Sequence, residues 1–254
     1  MLGGMQTVLH WLNAQAERLG DRPALWSRRG DLWMSVSWRD YARTIRDLTA
    51  GFVAIGLRPR SVVGIVGGNR EETIYAFLAV MAAGAYPLGI NRKGLRETYD
   101  ALRDRRDVDF WIAETEDDVK SLGANPCSTD RVIIMDGTSP QGRSFDEVLS
   151  LGMKSTDSHY YERLEQLKPH DIAVLALSRE GSSSPVPVIL THQNLNFTAE
   201  RRATCLNVDE NDATISFLSL AAIAEQMNAM YGAIYSGTQV YLVPNETWIA
   251  RSLH

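Results

Sequence analysis

The stretch Ser61–Asn91, SVVGIVGGNREETIYAFLAVMAAGAYPLGIN, holds one complete strand–helix–strand unit. SVVGIVG is a short apolar run rich in β-branched residues, which suits a strand buried on both faces. Glu71–Ala83 has helical length. The Glu71–Glu72 pair places negative charge in its first turn, where the helix dipole favours it, and does not read as an acid/base pair. The Ala/Gly-rich half of this helix, Ala76–Gly84, predicts close packing on a sheet rather than a membrane motif. AYPLGI supplies the second strand, so the unit predicts a crossover between parallel neighbours.

The same alternation extends outward. Upstream, Val8–Leu19 reads as a helix ended by Gly20, and PALWSRRGDLWMSVSW as a hairpin turning at Arg29-Gly30-Asp31. Ser37 caps the next helix, with Asp40 supporting its first turn, and that helix runs through Tyr41, Ile45, Leu48 and Phe52 to Gly56. Downstream come a helix at Leu95–Arg105, the strand VDFWIA, a short helix at Asp117–Leu122 and the strand RVIIMD. Gly137–Pro169 is polar and broken by Gly and Pro. It reads equally as a linker between subdomains or as a surface excursion, with two short helices.

From Asp171 the pattern resumes with IAVLAL, a loop, PVPVILT and the helix HQNLNFTAERRATCL. The strand ATISFLSL, a helix at Ala222–Tyr235 and the strand TQVYLVP follow. The predicted fold class is α/β, a largely parallel sheet flanked by helices. Two units are expected, residues 1–168 and an incomplete second α/β unit at 169–254.

Composition excludes several classes. In 254 residues, 44% hydrophobic and 22% charged, the usage is that of a soluble globular protein. A net charge of −5 argues against a general nucleic-acid binder. The basic stretch Arg92–Arg106 is interleaved with Glu97, Asp100 and Asp104, which reads as a solvated helix face. Cys127 and Cys205 form no disulfide framework and fit a reducing compartment. No secretory signal pattern and no apolar run near the ~20 residues of a membrane span is present, so a cytoplasmic location is expected. His10, His159, His170, His192 and His254 show no ligand spacing with Cys or carboxylates, which supports no metal site. No G-x-S-x-G elbow occurs, and no catalytic residue is assigned.

The segment Leu175–Leu195, LALSREGSSSPVPVILTHQNL, carries the chemistry of interest. A strand, a Gly/Ser loop, a second strand and a capped helix form the shape of a phosphate-holding loop, in which backbone N–H groups of Gly181, Ser182, Ser183 and Ser184 would contact the anion. The alternative is a polar turn, because no lysine or arginine follows the glycine. Thr191 is placed as an N-cap accepting from the N–H of Asn194, and His192 as a capping or packing residue.

Three stretches, taken in order, resemble one family. GNREETIYAFLAVMAAGAYPLGIN, the Gly/Ser loop with LTHQNL, and SFLSLAAIAEQMNAMYGAIYSGTQVYL are similar to successive motifs of the adenylate-forming enzymes, the acyl-CoA synthetase and luciferase superfamily. The third stretch, and WMSVSWRDYARTIRDLTAGFVAIGLRPRSVVGIVGGN, are closest to its long-chain fatty acyl-CoA synthetase branch. The resemblance implies the N-terminal subdomains of such an enzyme, with ATP or AMP and magnesium as cofactors and transfer of the acyl group to coenzyme A. It places Gly181, Ser182, Ser183, Ser184, Thr191 and Glu225 at nucleotide-site positions.

The sequence departs from the family at decisive points. Counted without gaps from Thr191–His192, the loop lysine of the family falls on Val186 and the glycine after it on Pro187. Arg179 and Glu180 stand at the loop's opening. Ser219, Ala222 and Gln226 replace the proline, histidine and arginine of the third motif, while Glu225 is kept. The chain stops at His254, before the family's later motifs and its C-terminal lid domain. A shortened, catalytically impaired homologue is therefore expected, binding a partner protein or an acyl or nucleotide ligand. The alternatives are an active ligase completed by another chain and a fragment of a full-length ligase. An apolar strand edge near TQVYLVPNETWIARSLH is expected to be open, which predicts an oligomer or a rearranged C-terminus.

Overall fold

In the computed structural model, residues 7–103, 108–123, 127–155, 158–178 and 186–244 are described. The chain begins with α1 (Val8–Leu19), the hairpin β1 (Pro23–Arg29) and β2 (Leu32–Ser37), and α2 (Trp38–Ala54). The quoted unit follows as β3 (Val62–Val66), α3 (Glu71–Ala82) and β4 (Tyr86–Gly89). Next come α4 (Leu95–Arg103), β5 (Phe110–Ala113), α5 (Glu116–Leu122), β6 (Val132–Ile134), β7 (Arg143–Ser144), α6 (Phe145–Met153) and α7 (Ser158–Gln166). The last part holds β8 (Ile172–Ser178), β9 (Val186–Thr191), α8 (His192–Leu206) and β10 (Ala213–Ser216). It ends with α9 (Ile223–Gln226), a π-helical turn (Met227–Tyr231), α10 (Gly232–Ser236) and β11 (Gln239–Leu242).

Local chemistry sets the ends of these elements where the sequence predicts it. The Ser37 hydroxyl accepts from the Asp40 N–H at 3.0 Å and starts α2. Gly30, at φ 63°, makes the tight turn between β1 and β2. α3 is apolar all round, and its residues from Ile74 to Ala82 are buried, as a helix packed on every side requires.

The strands form two sheets. The larger runs β7-β6-β5-β3-β4-β8-β9, with every neighbouring pair parallel except β8–β9. The smaller runs β10-β11-β1-β2 and is parallel except at the β1–β2 hairpin. The mixed α/β class with a mostly parallel sheet is thus borne out. Each sheet draws strands from both sides of residue 168.

PVPVILT forms a strand as read; it is antiparallel to β8 and closes the sheet, and Pro187 lies on this edge strand, where a missing N–H is tolerated. Two expectations are corrected. The segment 137–169 is neither linker nor excursion. α6 packs on α2, Phe145, Val148, Tyr160 and Leu164 are buried, and β7 extends the large sheet. β11 is not an open edge, because β10 and β1 pair with it on either side. No described helix is long and apolar enough to cross a membrane.

Candidate functional site

In an open parallel sheet, ligands bind outside the carboxyl ends of the strands, where the strand order reverses. Here the chain steps from β3 to β4 on one side and from β5 to β6 on the other, so the reversal lies between β3 and β5. Gly67, Gly68 and Asn69 follow β3 and lead into α3, and Glu114 follows β5. A cleft of about 620 Å³ opens here, lined among others by Ser27, Arg29, Asn69, Arg70, Arg92 and Glu114.

Ion pairs brace this cleft from within. The Gly68 N–H donates to Glu114 Oε2 at 2.6 Å, and an Arg92 guanidinium nitrogen lies 3.1 Å from the same oxygen. Arg92 also donates twice to Asp118, at 2.6 and 2.9 Å. Arg70 donates to Glu72 at 2.7 Å and to Asp136 at 2.7 Å, and stands 3.7 Å from Glu114. Burial would raise the Glu72 carboxyl, but the hydrogen bond and charge of Arg70 outweigh it and hold the group below its ordinary range. Bonding to Asp118 raises Arg92. In this network two guanidiniums face four carboxylates, and the cleft lining also holds Arg28, Arg29 and Glu71.

Of the positions singled out in the sequence, Val186 and Thr191 stand at opposite ends of one strand. Gly181, Ser182, Ser183 and Ser184, with Arg179 and Glu180, fall outside the described residues. Val186 opens β9 opposite Ser178 and is 44% exposed. Thr191 stands at the other end of that strand, ~16 Å further along at about 3.3 Å per residue. Its hydroxyl accepts from the Asn194 N–H at 3.2 Å, and the Asn194 side chain returns a bond to the Thr191 N–H at 2.9 Å. This is a reciprocal helix cap. His192, next along, is wholly buried, and neither ring nitrogen has a hydrogen-bond partner among the described residues. It packs and does not cap.

Glu225 is buried at the start of α9. It accepts from the Ser216 hydroxyl at 2.5 Å and from the Phe217 N–H at 3.2 Å. Ser216 lies 3.3 Å from Asn69 Oδ1, and Asn69 donates to the Val243 carbonyl at 3.3 Å, so Glu225 belongs to the polar seam joining the two sheets beside the cleft. Gln226 donates to the Leu220 carbonyl at 2.8 Å and accepts from the Tyr231 hydroxyl at 2.9 Å. Both side chains are occupied by the fold. Glu225→Ala is expected to cost about 2 kcal/mol, because it strands a buried hydroxyl and a backbone donor. A urea unfolding series would measure this.

Sequence reasoning missed the cleft. Arg92 was assigned to a solvated helix face, whereas it precedes α4 and reaches across to Glu114 and Asp118. The available signal was the Gly67-Gly68 pair directly after a central strand and before a helix. Val186 opens β9, the Thr191 hydroxyl is engaged in its helix cap, and among the described residues no group of three or more His, Cys, Asp or Glu is placed to hold a metal.

Comparison with known proteins agrees with this architecture. The long-chain-fatty-acid–CoA ligase ACSBG2 of Xenopus laevis is 23% identical over 94% of this chain and 34% of its own length. Its Homo sapiens counterpart is 24% identical over 92% of this chain and 36% of its own. The chain therefore spans about a third of the curated relatives it matches. Among solved structures, a putative long-chain-fatty-acid CoA ligase from Rhodopseudomonas palustris superposes with a TM-score of 0.82 at 17% identity, over 98% of this chain and 61% of that one. O-succinylbenzoate coenzyme A synthetase from Bacillus subtilis, solved with ATP and magnesium ion, gives 0.73 at 18% identity, over 98% and 61%. A family profile described as AMP-binding enzyme matches residues 12–252, and the chain belongs to that family.

Proposed function

We propose that this chain is a ligand- or partner-binding homologue of AMP-forming acyl-CoA ligases that does not itself form acyl-adenylate. Adenylation needs a triphosphate neutralised while a carboxylate is aligned on its α-phosphorus. In a Gly/Ser loop, backbone N–H groups and a positive side chain do that work. The observation that carries the proposal is Val186. It stands at the loop end of β9, where the family's lysine falls, and Pro187 beside it has no N–H to donate.

A second reading, an adenylating ligase completed by further polypeptide, is favoured by the relatives being about three times as long as the matched region. Calorimetric titration with AMP and with magnesium–ATP, alongside ATP–pyrophosphate exchange over fatty and aryl acids, separates the readings. Binding of either nucleotide without exchange supports the first. Acid-dependent exchange supports the second.

A further inference from the structure

Two histidines stand in the first turns of two helices that touch. His10 is the third residue of α1, His192 is the first of α8, and α1 meets α8 in the fold. The Thr7 N–H donates to His10 Nδ1 at 3.1 Å, and the Thr7 hydroxyl lies 2.8 Å from the same nitrogen. A backbone N–H only donates, so this Nδ1 carries no proton and the imidazole closes the first turn of α1 in its neutral form. A second proton would set two donors against each other and break that bond. His192 is wholly buried, and neither ring nitrogen meets a hydrogen-bond partner among the described residues. A charge there would be buried without a hydrogen bond, at a helix N-terminus whose dipole already opposes it. Two groups act on it across the packing. Asp171, just before β8, favours the charged form, but its carboxylate already accepts from the Lys168 N–H at 2.7 Å, and burial outweighs it. His10, from α1, disfavours the charged form.

We propose that the seam of α1 and α8 is an acid-operated latch: proton uptake by His10 and His192 opens the first turns of both helices before the two sheets come apart. The closed seam holds both imidazoles neutral and sets them to repel when charged, so one opening relieves both and takes up two protons together. The caps of α2, α5 and α6 differ, because they rest on the hydroxyls of Ser37, Thr115 and Ser144, which do not titrate. Mild acid therefore acts on the starts of α1 and α8. α8 begins where β9 ends, so its opening frees the far end of the strand that starts at Val186. The latch needs no ligand in the cleft.

Native-state hydrogen exchange in the full chain, at pH 7 and pH 5 and corrected for intrinsic rates, tests this. An ordinary 6.5 for His192 in the open seam, against about 4 in the closed one, favours opening about twentyfold over that interval, and His10 adds to it. Amides in peptides 8–15 and 190–200 should lose protection by that factor or more. Their exchange should barely respond to low urea, since a local opening exposes little surface, while amides of β3 and α3 stay better protected and do respond. His192→Leu should shrink the fall by at least about fivefold. His10→Gln, which keeps a capping side chain at that position, should at least about halve it and serves if His192→Leu does not fold. Seam amides that match β3 and α3 in protection and in urea response would show the seam opening only with the whole fold, which overturns the latch. A fall that survives unchanged in the folded variants overturns it as well.

Discussion

Gly152→Ala is expected to destabilise the fold by roughly 3 kcal/mol or more, at the upper end of overpacking costs. α6 lies on α2 so closely that a methyl group at 152 would run into the Asp47 carbonyl oxygen and come within 2.8 Å of the Gly51 nitrogen. A methyl at Gly51 would meet the Val148 carbonyl oxygen in the same way. These neighbours are backbone, so no side chain can rotate aside and the helices must separate. For a chain of this size the loss corresponds to a fall in Tm of ~6–12 °C. Scanning calorimetry of Gly152→Ala beside Gly30→Ala, where a methyl meets no atom and only the left-handed φ of 63° costs about 1–2 kcal/mol, checks the argument. A shift at 152 no larger than at 30 would refute the close approach.

The second large effect concerns pH. Desolvation in its buried site lowers His192 from 6.5 to about 4, with Asp171 opposing and His10 reinforcing the shift. The folded state therefore prefers the neutral imidazole, and between those values the unfolded chain binds more protons. Stability is fully present above pH 6.5 and is lost as pH falls toward 4. At about 1.4 kcal/mol per pH unit, the loss amounts to about 3 kcal/mol. Burial lowers His10 too, which adds in the same direction. The depressed Glu72 contributes only as pH falls below its unfolded value of 4.5, at the foot of the window. Urea midpoints between pH 7 and 4 should decline steeply in the parent and much less in His192→Leu. Equal slopes would show that His192 is not the group titrating.

Local signals account for what the sequence made legible. The Ser61–Asn91 unit forms β3, α3 and β4 as read, because a buried helix between two apolar strands is fixed by periodicity and length alone. The caps at Ser37 and Thr191 are equally local, each a side chain bonding three residues on. What stayed hidden depends on neighbours distant in the chain. Nothing in PALWSRR announces that β1 pairs in parallel with β11, more than two hundred residues away. Likewise, the polar look of 137–169 conceals that Phe145 and Val148 are buried, with Val148 lying against Gly51. The candidate site was legible only in part. The cap at Thr191 and the strand that Val186 opens are local and can be read. The cleft between β3 and β5 depends on strand order, which brings Arg70, Arg92 and Glu114 together from three separate segments.

ATP–pyrophosphate exchange by the purified chain, with magnesium and a panel of fatty and aryl acids, tests the central claim most directly. With Val186 in place of a cation, the account predicts a rate no different from the protein-free blank for every acid. Acid-dependent exchange above that blank, from this polypeptide alone, would contradict it.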